Sequence, residues 1–291
     1  MDQFHELKEA NQGTILFFRM GDFYELFHDD AEVGSNVLGL ALTSRDKNAD
    51  EPIPMAGFPW HQLEENLRLM LRAGHKVTVA EQEEELREGA KLLERVVTRI
   101  YTPGSLYEES LIGSDASALL CSLRIEKDTA AISMIDASTG HAWAVAFSGE
   151  GKWASVYDEI MRWNPSELVP TPQDAERSEF LNLLSMVDSI VVSQHTVQPK
   201  RAYQRLKAML EVNDLGHLDL GQSPEALQAT ALAADYLASV HRHDEIAIRD
   251  VEIQDTTEGM VLDQTTLRNL EITQTLAGEY EGSLLWAMNK C

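Results

Sequence analysis

The sequence predicts an α/β protein with two mixed sheets and a short helical segment at its C-terminal end. Apolar runs of strand length alternate with segments of helical periodicity through most of the chain. Short turns that contain Gly, Ser and Thr join three consecutive strand-like runs near the middle. The last section, 262–288, has helical rather than alternating patterning.

Length and composition are those of a globular protein with an unusual charge. The 291 residues are enough for roughly two domains with their own cores, and 44% of them are hydrophobic. The net charge of −24 argues against a surface that binds nucleic acid everywhere, so any DNA contact must be local. Two cysteines without CxxC spacing and a polar N-terminus indicate a reducing, cytoplasmic setting. No apolar run approaches the ~20 residues that a membrane span needs.

The first predicted sheet begins with a continuous apolar strand at Thr14–Arg19, which we expect in the centre of the sheet. Gly21 ends this strand. Asp22 followed by Glu25 has the spacing of an N-cap and capping box, so the sequence predicts a helix from Tyr24 to Leu38. The other elements predicted here are strands at Leu40–Thr43, His75–Ala80 and Arg95–Tyr101 and helices at Asp2–Ala10 and Pro59–Ala73.

This prediction places Phe23 at the exposed start of a helix, where an apolar ring is unfavourable. One interpretation is a hydrophobic staple, in which the ring packs against the helix. The other is a ring that is left exposed to stack on a flat partner, with Glu25 beside it as a hydrogen-bond acceptor. The pattern alone leaves both interpretations open.

A second unusual stretch is PMAGFPWH, from Pro54 to His61. Its first proline, together with Pro52, is expected to exclude regular structure from the end of the preceding loop. Phe58 and Trp60 are expected to be buried in a hydrophobic corner. The acidic run at 81–88 is expected to be a solvated helix or loop.

The second half of the chain predicts a different sheet. Three antiparallel strands are followed by alternating helices and strands, which is the pattern of an RNase H-like α/β sheet. Ser223 and Pro224 mark a clear helix start, and His241 and His243 at its end are expected to be solvated. The predicted strands are Ser117–Ile125, Ala130–Ile135, His141–Phe147, Glu167–Val169 and Ser189–Ser193, and the predicted helices are Lys152–Trp163, Ala175–Ser185, Arg201–Glu211 and 223–240.

Four segments together resemble the N-terminal part of the bacterial MutS mismatch-repair family. They are FFRMGDFYELF at 17–27, EPIPMAG at 51–57, TPG at 102–104 and RNLEITQTLAG at 268–278, in family order. The resemblance implies an α+β mismatch-recognition domain at 1–111, an RNase H-like connector at 112–244 and the start of a helical core domain at 245–291. The chain stops on an apolar run at 284–288, so we expect a fragment of a longer protein.

The resemblance also implies roles for individual residues. Phe23 matches the family phenylalanine that enters the minor groove and stacks on a mispaired base, and Glu25 matches the glutamate that hydrogen-bonds this base. Arg45 and Arg99 match basic positions near the DNA backbone, and Met55 lies in the loop beside the wedge. The implied partners are mismatched double-stranded DNA, MutL and, in the full-length family, a second copy of the protein, with no membrane.

The resemblance implies no catalysis by this chain. The family binds ATP and Mg in a C-terminal domain, and this sequence contains no G-x-x-x-x-G-K-[ST] motif, so we expect no cofactor here. Two alternatives remain. One is a module that binds proteins without autonomous DNA binding, which suits the acidic surface. The other is a metal-dependent nuclease on the RNase H-like sheet, with Asp136 and Asp188 as candidate carboxylates.

Overall fold

The structure is a computed structural model, and it describes residues 1–45, 52–83, 93–112, 118–187, 190–215, 223–242, 246–254, 266, 269–272 and 275–290. Two six-stranded sheets with helices packed on them confirm the predicted α/β class. Most of the acidic run at 81–88 and much of the predicted helical section at 262–288 lie outside the described residues. None of the described helices combines the length and the apolar composition that a membrane crossing requires.

The described residues of the first half of the chain fold into a six-stranded sheet with four helices and a 3₁₀ turn. Its elements are α1 (Asp2–Ala10), β1 (Ile15–Met20), β2 (Phe23–Phe27), α2 (Asp29–Leu38), β3 (Thr43–Arg45), β4 (Ile53–Pro59), a 3₁₀ turn (Trp60–Gln62), α3 (Leu63–Arg72), β5 (Val77–Gln82), β6 (Arg95–Tyr101) and α4 (Glu109–Ile112). The strand order in this first sheet is β3-β4-β2-β1-β5-β6. The central strand β1 is parallel to β5 and antiparallel to β2, which confirms the predicted central position. Helices α2, α3 and α4 cover one face, and α1 packs Phe4 against Phe18 and Phe27 on the other.

The predicted helix from Tyr24 to Leu38 is wrong in its first part. Residues 23–27 form β2, and the helix begins only at Asp29. Gly21, with a φ of +59°, and Asp22 form a two-residue turn that brings Met20 opposite Phe23. A glycine at the first turn position is what a type II′ hairpin requires. Asp22 is therefore a turn residue rather than an N-cap, because strand pairing satisfies the backbone groups of β2.

Two further expectations for the first sheet are wrong. Pro54 was expected to exclude regular structure, but it lies within β4. The strand pairing survives because the missing N–H lies near the strand end, and the Pro54 carbonyl still accepts from the backbone N–H of His28 at 3.0 Å. The strand predicted at Leu40–Thr43 is displaced, since β3 starts at Thr43.

The second half of the chain folds into another six-stranded sheet. Its elements are β7 (Leu119–Glu126), β8 (Thr129–Asp136), β9 (His141–Ser148), α5 (Lys152–Trp163), β10 (Glu167–Pro170), α6 (Pro172–Ala175), α7 (Ser178–Met186), β11 (Val191–Val192), α8 (Pro199–Met209), α9 (Pro224–His241), β12 (Asp250–Ile253) and α10 (Leu284–Asn289). The strand order in this second sheet is β11-β10-β7-β8-β9-β12, and β7, β8 and β9 form the predicted antiparallel meander. Helix α9 packs on one face, and α5 and α7 pack on the other. β12 pairs with β9 beyond residue 244, where the connector was predicted to end, and the helix predicted at Ala175–Ser185 is divided between α6 and α7.

A buried carboxylate joins the two sheets. Glu167 on β10 has no exposed surface, and it accepts hydrogen bonds from the backbone N–H of Gly104 at 3.1 Å, the Tyr236 hydroxyl at 2.6 Å and the Ser193 hydroxyl. A Cβ at Gly104 would lie 2.7 Å from the Cβ of Glu167, so the TPG turn needs glycine at its last position. The turn that ends β6 is thus attached to the second sheet.

A histidine reinforces this joint from the end of α9. His241 is fully buried rather than solvated as expected, and its Nε2 donates to the carbonyl oxygen of Ser105 at 2.8 Å. Lys76, just before β5, donates to the Ser193 hydroxyl at 3.2 Å. The first and second sheets therefore contact each other through a polar, largely buried set of groups around residues 102–105.

Candidate nucleic-acid interface

The β2 strand directs Phe23 and Glu25 to one face of the first sheet and Tyr24 and Leu26 to the other, because successive strand side chains alternate. Tyr24 and Leu26 are buried in the core beneath α2 and α3. Phe23 is 48% exposed, and Glu25 is half-buried. This arrangement agrees with the exposed-ring interpretation and not with a hydrophobic staple, although the ring stands on a strand rather than a helix.

Two hydrogen bonds fix the turn that carries Phe23. The backbone N–H of Trp60 donates to the carbonyl of Asp22 at 2.9 Å, and the N–H of Gly21 donates to Oε1 of Gln82 at 3.0 Å. The turn is therefore held from β4 on one side and from β5 on the other. An exposed ring on such a turn is pre-positioned, so little conformational entropy is lost when it inserts into a partner.

Glu25 lies between an exposed neighbour and a buried one. Its neighbour on β4 is Gly57, which is exposed, and its neighbour on β1 is Phe18. A Cβ at Gly57 would lie 2.9 Å from the carbonyl oxygen of Tyr24, so a larger residue would disturb the pairing of β2 with β4. Glycine leaves the Glu25 carboxylate accessible to a planar group that approaches along the sheet.

Two arginines flank this face from opposite edges of the sheet. The Arg45 guanidinium on β3 lies 5.7 Å from the centre of the Phe27 ring, and that of Arg95 on β6 lies 5.4 Å from the Phe18 ring. Arg95 also donates through Nε to the carbonyl of Arg19 at 3.2 Å. Sequence reasoning selected Arg45 and missed Arg95, although Arg95 is two residues from buried Val97 and therefore shares its face of β6.

Burial raises the pKa of the Glu25 carboxyl above its ordinary value, and the charges of Arg45 and Arg95 oppose this shift. Desolvation is the larger cause. The carboxyl thus holds its proton to a higher pH than a solvated glutamate does, while two cations nearby limit the effect.

Glu25→Gln should remove a pH-dependent loss of stability. Since the pKa of Glu25 is raised on folding, the folded protein keeps a proton that the unfolded chain releases, and the free energy of unfolding falls as pH rises between the two pKa values. The variant does not titrate there, so its stability relative to wild type should increase from about pH 4, where the unfolded glutamate titrates, and level off once the pH exceeds the raised pKa of the folded protein. Urea unfolding of both proteins across this range measures the difference, and a pH-independent difference would contradict the assigned shift.

Arg99 does not lie on the Phe23 face, and its position argues against the predicted contact with a DNA backbone. A register shift between Val79 and Ala80 places Arg99 opposite Val79, on the helix-covered face. The side chain is 4% exposed, pairs with Glu108, and lies between the rings of Tyr101 and Tyr107, 4.4 and 4.6 Å from their centres. These contacts connect β6 to the segment before α4.

Met55 lies on the same face as Phe23 and Glu25. It is opposite Phe27 in the β4–β2 pair and packs, partly buried, against the cluster of Phe4, Phe18 and Phe27. It therefore supports the strand that carries Phe23, which agrees with a position beside the wedge.

The carboxylates of the nuclease alternative do not form a site in the described residues. Asp136 caps the turn after β8, where its Oδ1 accepts from the backbone N–H and the hydroxyl of Ser138 at 2.9 and 2.6 Å. Asp188 lies outside the described residues. Within the part of the chain that is described, no three His, Cys, Asp or Glu side chains are grouped so that they would hold a metal ion.

Comparison with known families agrees with this division into two sheets. The family model for MutS domain I matches residues 1–110, and the model for MutS domain II matches residues 117–248. The chain belongs to the MutS family of DNA mismatch repair proteins. Within that family, the first sheet corresponds to domain I and most of the second sheet to domain II.

Curated MutS proteins align along nearly the whole chain. Those of Halothermothrix orenii and Syntrophomonas wolfei are each 33% identical to it, over 286 and 289 residues, and each alignment covers 98% of this chain. That of Rhodopirellula baltica is 33% identical over 309 residues and covers 100% of it. The chain spans 32 to 34% of these relatives, about one third of their length.

Proposed function

We propose that this chain recognises mismatched base pairs in double-stranded DNA, with Phe23 as a wedge and Glu25 as its hydrogen-bonding partner. The observation that supports this most directly is a 48% exposed aromatic ring on a fixed hairpin turn in a MutS-family chain. Phe23 enters the minor groove and stacks on the mispaired or unpaired base. Arg45 and Arg95 face the phosphates on either side.

Discrimination follows from the deformability of the mismatch. Stacking of a base on an aromatic side chain contributes ~1–3 kcal/mol and does not depend on which base is present. The wedge also unstacks a base step and kinks the duplex, which costs a few kcal/mol. A mismatched pair is easier to unstack and bend than a matched pair, so the net binding free energy favours the mismatch.

Glu25 acts on the edge of the base that stacks on Phe23. A protonated carboxyl would donate to an acceptor on the base, and the ionised form would accept from an imino or amino group instead. Burial raises the pKa of Glu25 and so lowers the cost of the protonated form. A carboxyl that shares a proton with the base avoids the repulsion that an ionised group experiences near phosphates. Glu25 therefore orients the base without preventing DNA binding.

The strong negative charge limits what the chain does alone. At a net charge of −24, two arginines on one face supply little of the phosphate neutralisation on which DNA affinity depends. We therefore place further DNA contacts, the homodimer interface and the ATP- and Mg-dependent activity in regions that correspond to the two thirds of the MutS relatives outside the alignment. The setting is the bacterial cytosol.

The test is a chimera in which this chain replaces the matching third of the Halothermothrix orenii MutS. Fluorescence anisotropy compares its affinity for a G·T duplex, a duplex with one unpaired base and the matched duplex at several salt concentrations. We expect at least about tenfold preference for the two defective duplexes, within the range that one stacked base supplies. A folded chimera with equal affinities for all three would contradict the proposal.

A second function is supported by α8. This helix, PKRAYQRLKAM, has four basic residues and no acidic one in a chain that is otherwise acidic. Arg201 and Arg205 bind the buried carboxylate of Asp235, while Lys200 and Gln204 are exposed. We assign this helix as the connector surface for an acidic face of a protein partner, and MutL is the partner that the family implies.

Reversing charge on α8 should separate partner binding from DNA recognition. In the chimera, Lys200→Glu should weaken capture of MutL while the preference for the G·T duplex is retained. Lys127→Glu, an equal charge change in the exposed β7–β8 turn of the same sheet, serves as the matched control. If both variants capture MutL as well as the unmodified chimera does, α8 is not the docking surface.

A further inference from the structure

We propose that Trp60 and Arg19 form a second DNA contact on the Phe23 hairpin, with the tryptophan ring against a deoxyribose beside the mismatch and the guanidinium on the adjoining phosphate. The inference rests on the proposed function of Phe23 and extends it. It concerns two residues to which neither the sequence patterns nor the family resemblance gave a role in DNA binding.

Trp60 was expected to be buried and is instead 51% exposed. It follows Pro59, which pairs with Phe23 across β2 and β4, and its backbone N–H holds the Asp22 carbonyl. Among the described residues of 1–101, Phe23 and Trp60 are the large aromatic side chains that are exposed. The two rings lie at the same end of the sheet, but Trp60 is on the Tyr24 side, since it lines the same cavity as Tyr24. A duplex bound across this end of the sheet would cover both exposed rings, whose exposure to water is unfavourable.

Arg19 is held against this ring. Its guanidinium lies 5.2 Å from the centre of the Trp60 ring and 5.3 Å from that of Tyr24, and its Nε donates to the carbonyl of Gly21. The Arg19 guanidinium is thus held against the turn between β1 and β2 and does not move freely in solvent. A planar guanidinium that is already oriented loses less entropy when it binds a phosphate.

The charges around Trp60 determine on which side the DNA strand lies. A cavity of about 580 Å³ opens beside the ring, and Arg19 and Trp60 line it together with Glu64, Glu81 and Glu108. Glu81 accepts from the Tyr24 hydroxyl and Glu108 pairs with Arg99, so these carboxylates already have partners. Their charge still repels phosphates, so we place the DNA strand outside the cavity, at the Gly21 turn against which the Arg19 side chain is held.

The two rings then have different tasks, which variants distinguish. Phe23 stacks on the mispaired base and supplies discrimination. Trp60 contacts a sugar, which matched and mismatched duplexes share, and Arg19 contacts a phosphate. Loss of either should therefore lower affinity for both duplexes by a similar factor and leave their ratio unchanged.

The experiment uses the chimera with matched and G·T duplexes. Trp60→Ala should lower both affinities about tenfold, because an apolar contact with the sugar is lost. Trp60→Phe should restore most of the loss, because a phenyl ring keeps an apolar surface at this position. Arg19→Gln should weaken both and reduce the slope of log affinity against log salt by about one. Arg68→Gln, on α3 and paired with exposed Glu65, is the control and should bind like the unmodified chimera.

The outcomes separate this inference from the wedge proposal. If Phe23→Ala loses discrimination while Trp60→Ala and Arg19→Gln bind both duplexes normally, the second contact is wrong and the wedge stands. If Phe23→Ala keeps full discrimination, the wedge itself is wrong. Should Trp60→Ala unfold, as circular dichroism would show, Trp60→Phe and the salt slope of Arg19→Gln decide, and an unchanged slope overturns the inference.

Discussion

Phe23→Ala should abolish the preference of the chimera for G·T or looped duplexes. The substitution removes the stacking contact, worth ~1–3 kcal/mol. It also removes the wedge that unstacks and bends the duplex, so a mismatch no longer gains from being easier to deform. Affinity for matched DNA should change little, because a matched duplex resists wedge insertion in either protein. The fold should survive, since the ring is 48% exposed and the hairpin is held through backbone groups.

Anisotropy titrations with the three duplexes measure this effect, and urea unfolding confirms that the variant is folded. Leu42→Ala is the matched control, because this side chain is 51% exposed in the same part of the chain and is not on the β2 hairpin. We expect the control to discriminate like the unmodified chimera. Equal discrimination by Phe23→Ala would refute the assignment of the wedge.

Glu167→Ala should lower the free energy of unfolding of this chain by about 3 kcal/mol, because three buried donors lose their acceptor. The N–H of Gly104 and the hydroxyls of Tyr236 and Ser193 all point at this fully buried carboxylate. Each buried donor left without a partner costs about 1–3 kcal/mol, and removal of the buried charge offsets part of the sum.

Urea unfolding measures the loss, with Glu126→Ala as control. Glu126 is a glutamate of the same sheet that is only half-buried and accepts a single bond from Gln228 at 3.0 Å, so its loss should change stability by less than about 1 kcal/mol. Spin labels at exposed Leu42 and Leu181 report the joint itself. Their distance distribution should broaden in Glu167→Ala, and an unchanged width together with unchanged stability would contradict the account of the joint.

Elements with a strong local pattern were predictable from the sequence. Lys152–Trp163 and Arg95–Tyr101 have the predicted bounds, the three-strand meander is present, and α9 starts at the predicted cap of Ser223 and Pro224. In each case the apolar period and the stop signals agree. The exposed state of Phe23 was only one of two interpretations that the local pattern left open, and the exposure of the ring in the structure favours it.

The hairpin was missed because its signal is ambiguous at short range. Asp22 followed by Glu25 satisfies a capping box, while Gly21-Asp22 equally satisfies a two-residue strand turn. Pairing of β2 with β4 decides between them, and β4 was itself excluded because it contains Pro54. The wrong inference about Pro54 thus removed β4, the strand whose pairing with β2 would have shown that residues 23–27 are not helical.

Site residues on β6 show a similar limit. A strand alternates its side chains, so Arg95 and Arg99 would share a face if β6 were regular. The register shift opposite Val79 and Ala80 places them on different faces, and Arg99 pairs with Glu108 instead. Such an irregularity depends on how β5 and β6 fit together, which the sequence of either strand alone does not specify.

The central claim is that the Phe23 side chain lies against the mispaired base, and photochemical crosslinking measures this most directly. Phe23→p-benzoylphenylalanine in the chimera is irradiated on a G·T duplex and on its matched counterpart, and the crosslinked nucleotides are mapped. We predict crosslinks at the mispaired base or its immediate neighbours, with a much lower yield on the matched duplex. Equal yields on both duplexes, or crosslinks spread along the DNA without regard to the mismatch, would contradict the claim.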